Sequence, residues 1–598
     1  MANTESSIAL RGIRKKLDQL LDQTLRDRVD VYLPVTLSKT FLVAQTPEGV
    51  RQSQWVAFAY YLVERVFLAT LNKDFKVTKK GGKSRTWVSL PYTAFQGIGG
   101  SKYVALRQKL LDAGILECDG SFSYTKHETY GFRLGKQFRS KRGQYRTIKD
   151  ASVEELLIKH RRAELDQAKQ RIRKIAFVAK GWLQPDLIEL DKSAALNFLE
   201  LYDSVMHRRL KKRFTQLRTT AAEQEEHSTQ AQNRFDHALH QVEQWGENTQ
   251  LTVDKKGGRF YNPLGLLLSP LRNFVTYTGQ PLVVLDLKNS QPLHLLLLLD
   301  HRFWQADSRQ TWSLRKLNPD LWEAATIHQE AGGDQRAAGH LIESSISKKQ
   351  AELEDSTNTH FAELVFAGKL YEFMAETFRG KYFTRQGVDR FGTRDHAKRE
   401  MLKLMYFDNE QTYSPSQKPY EEFGRLFPGV AKVMDRLKSR SYKDFSVLLQ
   451  KLEAHFLLHK VCRQVYTKHP TAWFTTIHDA IVATAEHADL VETEILTTYQ
   501  KTMGQVPSVK RTNLHSTVAY TDLLTYVEDK LDEGFGTTSE KAQPSGYTLA
   551  GLRSLLQARA IQQSSLPEAS PFGVKYAAMG GDSGYENPFA PPPRKLKR

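Results

Sequence analysis

Two cysteines, Cys118 and Cys462, are all that 598 residues contain. So few exclude a disulfide framework and a thiolate-built zinc site, and both read as small buried apolar residues in a reducing compartment. Long apolar runs are missing too. The longest unbroken one, Trp55–Val63, falls far short of the roughly 20 residues that span a bilayer. The first residues, MANTESSIALRGIRKKLDQLL, lack the apolar segment of a secretory signal. A soluble, cytoplasmic protein without a membrane partner is therefore expected. Acidic charge is also short: 67 Asp and Glu stand against 86 Lys and Arg, leaving a net charge of +19. A surplus of that size points first to a nucleic-acid partner, because lysine and arginine displace counterions from phosphates.

The pattern along the chain divides it into five stretches. Residues 1–30 read as a basic amphipathic helix. In 31–140 an apolar helix from about Gln54 is followed by a helix entry at Leu90-Pro91-Tyr92-Thr93 and a turn at Gly99-Gly100-Ser101-Lys102. A second helix, Tyr103–Ala113, is capped by Gly114, and runs at Ile115–Cys118 and Tyr130–Leu134 can pair as strands. Helix, turn, helix and hairpin is the order of a winged helix-turn-helix, a DNA-binding arrangement. Residues 141–250 are polar, helix-prone and nearly free of proline, and are expected to form a thumb-like helical region. Their densest basic runs, Lys159–Lys174 and His207–Arg213, are solvated helix faces or grips on a duplex backbone. Residues 251–535 mix strands and helices. Residues 536–598 form a flexible linker, a short helix at Leu549–Ala560, and a basic tail ending in Arg594-Lys595 and Lys597-Arg598. The whole reads as an α+β protein.

The chemistry concentrates in 251–535. Asp286 stands where the apolar run Pro281–Leu285 ends, and the polar turn Lys288–Pro292 follows it. A carboxylate at the end of a buried strand is costly unless it caps a helix, is paired, or binds a metal. Thr471–Ala485 places a second one, Asp479, after His478 between two β-prone runs, the order of a hairpin with acid at its tip. Two carboxylates on adjacent strands could hold two divalent ions roughly 4 Å apart, one for each oxygen of an in-line phosphoryl displacement. Magnesium suits such hard oxygen ligands. Between them, Arg394, Lys398, Leu402 and Tyr406 recur every four residues, a slowly winding stripe along one helix that offers cations to a triphosphate and a ring to a base.

Taken in order, these segments resemble the polymerase I superfamily, that is, family A DNA polymerases and the single-subunit RNA polymerases of phages and mitochondria. Asp286 matches the metal-binding Asp of motif A, the Arg394–Lys398 stripe matches motif B, and His478-Asp479 matches motif C. Asp254-Lys-Lys-Gly-Gly258-Arg259-Phe-Tyr261 is similar to the Asp-x-x-Gly-Arg-x-Tyr element near the template, with one extra residue before the Arg. Phe427-Pro428-Gly429-Val430 resembles a Tyr-Pro-Gly-Val turn, and Gln450 sits like the family's Gln before motif C. The resemblance covers roughly 251–530.

It implies a right-hand polymerase, with an antiparallel palm and helical fingers and thumb. Two Mg²⁺ would be bound by Asp286 and Asp479. Arg394 and Lys398 would hold the nucleoside triphosphate, with Lys398 as proton donor to pyrophosphate. Tyr406 would stack near the nascent pair, and His478 would meet the growing 3′ end of nascent RNA or DNA. Arg259, Tyr261 and Gln450 would contact the DNA template or the primer. The chain departs from the family where Ser290-Gln291 is followed by Pro292-Leu293 instead of the Glu that blocks a ribose 2′-OH, and where Leu402 replaces an aromatic residue or Met. Phe407 stands in place of the Gly after Tyr406. The first two tilt the expectation toward DNA-directed RNA synthesis, as transcript or primer. The alternatives are a DNA polymerase of a plasmid or phage-like element, and a non-catalytic DNA-binding initiator.

Overall fold

The computed structural model describes residues 2–23, 29–71, 87–90, 92–120, 130–139, 141–217, 220–246, 250–305, 309–319, 321–322, 348–384, 387–407, 417–438, 442–532 and 549–564. The expected linker and the basic tail with Arg594 and Lys597 lie outside these residues. The architecture is α+β with antiparallel sheets. No helix among the described residues is long and apolar enough to cross a membrane.

The smaller of two apolar cores runs from Val29 to Leu157 and is centred on the helix Gln52–Leu71. That helix is apolar on nearly every face, which suits an element packed all round. Strand β1 (Asp30–Pro34) lies beside it. Next come β2 (Val88–Ser89), helices Tyr92–Gly99 and Tyr103–Asp112, β3 (Leu116–Cys118) and β4 (Gly131–Leu134). The sheet order is β2-β4-β3, with Leu116 opposite Leu134. Gly114 ends the second helix at φ 63°, a left-handed cap that glycine reaches without a Cβ penalty. The helix-helix-hairpin order read from the sequence is therefore present, and Val104 stands 51% exposed on the second helix.

The stretch 141–250 departs from the helical expectation in two places. Strand β5 (Gly143–Thr147) pairs with β1, and β6 (Ile188–Leu190) joins the main sheet. Both are too short to show a period of two in a polar background. The basic run Lys159–Lys174 lies mostly on the helix Ala151–Ile172, which begins in the smaller core and ends in the larger one. Three of its cations are held within the protein: Arg161 by Glu64 (3.3 Å), Lys169 by Asp22 and Arg173 by Asp18 (2.7 Å). The pairs to Asp22 and Asp18 tie the first helix, Ala2–Gln23, to the body of the protein, and all three cations are engaged internally. The second basic run lies on the helix Lys192–Leu217, antiparallel neighbour of Ala221–Glu243; the side chains of 211–213 are outside the described set.

The larger core surrounds a six-stranded sheet. After the hairpin of β7 (Thr252–Val253) and β8 (Phe260–Tyr261) come β9 (Val275–Tyr277) and β10 (Gln280–Leu287), then β11 (Phe474–Ile477), β12 (Ala480–Thr484) and β13 (Val509–Leu514). β10 is central, with β12 on one edge and β13 on the other. Its Leu282, Val283 and Leu285 are buried, as a strand covered on both faces requires. It enters through the two-residue turn Thr278-Gly279, both at positive φ as a type I′ hairpin demands. It leaves into the helix Ser290–Leu299, apolar all round and buried along most of its length. The C-terminal helix, Leu549–Ser564, extends a little past the expected Ala560 and buries Leu552 and Leu556 in this core.

Candidate active site

The register of β10 brings the two carboxylates together. Asp286 faces Ala480 across the ladder to β12, and Ile477 pairs with Ala480 around the two-residue turn His478-Asp479. Asp479 is thus the chain neighbour of the residue directly opposite Asp286. On the other edge Asp286 faces Lys510 of β13. The turns that follow and hold the two acids both need a left-handed non-glycine residue, Asn289 (φ 55°) after Asp286 and His478 (φ 54°) before Asp479. Such conformations cost on the order of 1 kcal/mol and persist where surrounding structure imposes them.

Burial, and then the charge of Asp479, push the Asp286 carboxyl up to about 6 from an ordinary 3.8, against the opposite pull of Lys398 and Lys510. Neither acid has a hydrogen-bonded or ion-paired partner among the described residues. A repelling pair of hard oxygen ligands fits a divalent cation, and a two-carboxylate set suits Mg²⁺, which retains several waters. Among the described residues no cluster of three or more His, Cys, Asp or Glu side chains is gathered; the two carboxylates are the residues that would hold such an ion. The sign of its pH dependence follows. Between about 3.8 and about 6 the folded chain holds a proton on Asp286 that the unfolded chain releases, so this group's contribution to stability falls as pH rises through that window. Metal must displace that proton. The Mg²⁺ concentration for half-saturation is therefore expected to fall as pH rises to about 6 and then level off. Competition with paramagnetic Mn²⁺ measures it, and a midpoint constant from about pH 5 to 7 would contradict this assignment.

The helix Arg394–Tyr406 begins at its N-cap Thr393, whose side chain accepts the His396 N–H, and carries the expected stripe. Lys398 is exposed and close enough to Asp286 to lower its pKa. Arg394 is not free: Glu372 accepts its Nε–H at 2.8 Å, and its guanidinium lies 5.6 Å from the centre of the Tyr371 ring. Tyr371 itself is buried and feels both Asp479 and Asp286, which, after burial, help raise its phenol pKa. Tyr406 lies near Glu453, Arg259 and Asp479.

The β7–β8 hairpin supplies the third side. Asp254 accepts the N–H groups of Lys256 (2.7 Å), Gly257 (2.6 Å) and Arg259 (2.9 Å), folding the loop around one carboxylate. Gln450 packs against Gly257, where a Cβ would press on its side chain. The rings of Tyr261 and His478 meet edge to face with centroids 6.2 Å apart. His478 is exposed, but burial of part of its ring, with Arg272 and Arg259 nearby, holds its pKa below the ordinary 6.5. Next to Tyr261, Asn262 donates to the Thr476 carbonyl (2.8 Å), strapping the hairpin to β11.

One residue that the sequence reading passed over joins all three sides. Glu453, one turn beyond Gln450 on the helix Tyr442–Ala454, is 1% exposed. Its carboxylate accepts from Arg259 Nε (2.8 Å), Ser290 Oγ (3.0 Å) and Gln291 Nε2. Burial, only partly offset by Arg259 and worsened by Asp479, lifts its pKa to about 6. Burial disfavours the Arg259 charge as well, yet Glu453 and Asp479 hold its pKa above the ordinary arginine value. Arginine stays charged at any working pH, so the carboxylate bears the cost of this pair. The clue in the sequence is a lone Glu in the apolar run LLQKLEAHFLL. Lys510 has no such clue, since only strand pairing places it. The helix passes at His455–Cys462 into a π-helical turn, a distortion common beside functional sites.

A separate cavity of about 480 Å³, lined by Glu64, Tyr145, Arg161, Trp182, His237 and Trp245, lies between the two cores and shares no residue with the carboxylate pair. Arg161 is paired there with Glu64, and the cavity contributes nothing to the chemistry above. Compared with models of known protein families the chain matches none, and no curated protein matches it either.

Proposed function

We propose that the chain is a template-dependent nucleotidyltransferase of right-hand polymerase architecture, making RNA on a DNA template as transcript or primer. One observation carries this reading: β10 pairs with β12 so that Asp286 and the tip residue Asp479 share one end of a central antiparallel sheet. Around that end stand the residues such a transfer needs. Lys398, just over one helical turn along from Arg394, lies near the acids and would hold the triphosphate; Lys510 stands on their other flank. Arg394 would reach the same phosphates by leaving Glu372. Tyr406 and Tyr371 offer rings beside the acids, and Arg259, Tyr261, Gln450 and His478 line the side suited to template and primer. Two Mg²⁺ bound by Asp286 and Asp479 would neutralise charge on the attacking and leaving oxygens. Positioning and electrostatics supply most of the catalysis in such reactions. The helix-helix-hairpin unit in front, with the net charge of +19, supports recognition of a start site in DNA.

The test is incorporation by the purified chain on primed and unprimed DNA templates, with ribonucleotides and deoxynucleotides in parallel. Ribonucleotide incorporation is expected. Strong preference for deoxynucleotides replaces this reading with a DNA polymerase, and no incorporation of either leaves a DNA-binding initiator.

A further inference from the structure

Among the described residues Arg272 is a cation without a counter-ion. It sits in the short 3₁₀ segment Ser269–Phe274, pinned to the larger core by Leu271 and Phe274. One terminal nitrogen donates to the Gly265 carbonyl (3.0 Å), while its Nε–H is shut off from solvent and meets no acceptor. No carboxylate pairs with it among the described residues, and burial alone draws its pKa below the ordinary value. Burying a guanidinium unpaired is expensive, so the fold has a reason to hold it only if an anion arrives.

Its position says which anion. Asn262 caps the turn Pro263–Leu266 and straps it to the Thr476 carbonyl of β11, so Gly265, and Arg272 with it, are held against the strand that runs into the His478-Asp479 turn. Arg272 lies within electrostatic reach of His478. Arg259, the other cation on this side, is already neutralised by Glu453. Among the described residues Arg272 is thus a cation with no carboxylate partner on the side of the turn that carries Asp479.

We propose that Arg272 receives a backbone phosphodiester of the strand whose 3′ end meets Asp479, just behind that end. This rests on the polymerase reading of the carboxylate pair. A guanidinium presents a planar fork to two phosphate oxygens, and the contact is indifferent to base sequence.

The experiment measures binding of the full chain to a primer–template duplex, without nucleotide, across a salt series. Arg272→Gln is expected to weaken binding about tenfold and to lower the slope of log affinity against log salt by about one, whereas Arg272→Lys keeps most of both. A scan of single methylphosphonates along each strand uses the unaltered protein and is decisive even if the glutamine variant does not fold. One primer-strand position near the 3′ end should reproduce the tenfold loss and add nothing to it in Arg272→Gln. An unchanged salt slope in Arg272→Gln, or a scan in which the sensitive position lies on the template or nowhere, overturns the assignment. Asp479→Asn separates the two levels. If that variant incorporates nucleotides within tenfold of the unaltered chain, the assignment of the reaction to the carboxylate pair fails by itself, whereas a failure confined to Arg272 leaves that assignment intact.

Discussion

Asp479→Asn is expected to reduce nucleotide incorporation roughly a thousandfold or more while the chain stays folded and still binds a primed template. The substitution keeps size and shape and removes one negative charge. Asp479 takes part in no hydrogen bond or ion pair with the described residues, so no contact of the fold depends on it. What it does hold is a charge that, after burial, helps raise Asp286 to about 6. Removing that charge relieves repulsion, so thermal stability at neutral pH should stay level or rise, and Asp286 should ionise at lower pH. The combination is diagnostic. A purely structural Asp479 would lose stability together with activity, and a surface Asp479 would lose neither. Steady-state incorporation, read beside a thermal melt, measures both. Activity within tenfold of the unaltered chain would end the two-metal reading of this site.

Glu453→Ala should give the largest loss of stability, about 3–5 kcal/mol. The reason is what it leaves behind: Arg259, the Ser290 hydroxyl and the Gln291 amide lose their common acceptor at a point closed to water. Those partners belong to the β7–β8 hairpin and to the turn that follows Asp286, so incorporation should fall as well. Glu453→Gln keeps an acceptor oxygen and should cost less, about 1–3 kcal/mol. The glutamine variant also tests the ionisation. Because the folded carboxyl titrates at about 6 and the ordinary value is 4.5, the wild-type chain loses stability from this group as pH rises between those values. The glutamine variant has no such loss, so the gap between the two proteins should narrow toward neutral pH. Urea-unfolding midpoints at about pH 4.5 and 7 supply the comparison. An alanine variant as stable as the wild type would mean that the three segments are held by something else.

Much of this arrangement was legible as local pattern. The strand ending in Asp286, the two-residue tip at His478-Asp479, the helix from Arg394 to Tyr406 and the capped helix before Gly114 all appear where turn residues and apolar periodicity place them. Each is set by signals within a dozen residues. The basic run Lys159–Lys174 was legible as a helix but not as a set of internal ion pairs, because its partners Asp18, Asp22 and Glu64 are more than ninety residues away. β5 and β6 escaped notice because strands of five and three residues show no alternation to read. Arg394 carries the right residue type at the right spacing, yet its engagement with Glu372 is a fact of packing between helices.

The amino-acid sequence alone determined the α+β character, the basic charge, the positions of the two acids at strand ends and the cationic stripe between them, because composition, turn chemistry and helical period act over short distances. Tertiary structure decided which of those groups meet. The ladder between β10 and β12 places Asp286 beside Asp479, the ladder to β13 adds Lys510, and a buried Glu453 binds the surrounding segments together. Strand register and side-chain burial depend on residues hundreds of positions apart, and a shift of one residue in either ladder would have turned Asp286 to the opposite face of the sheet.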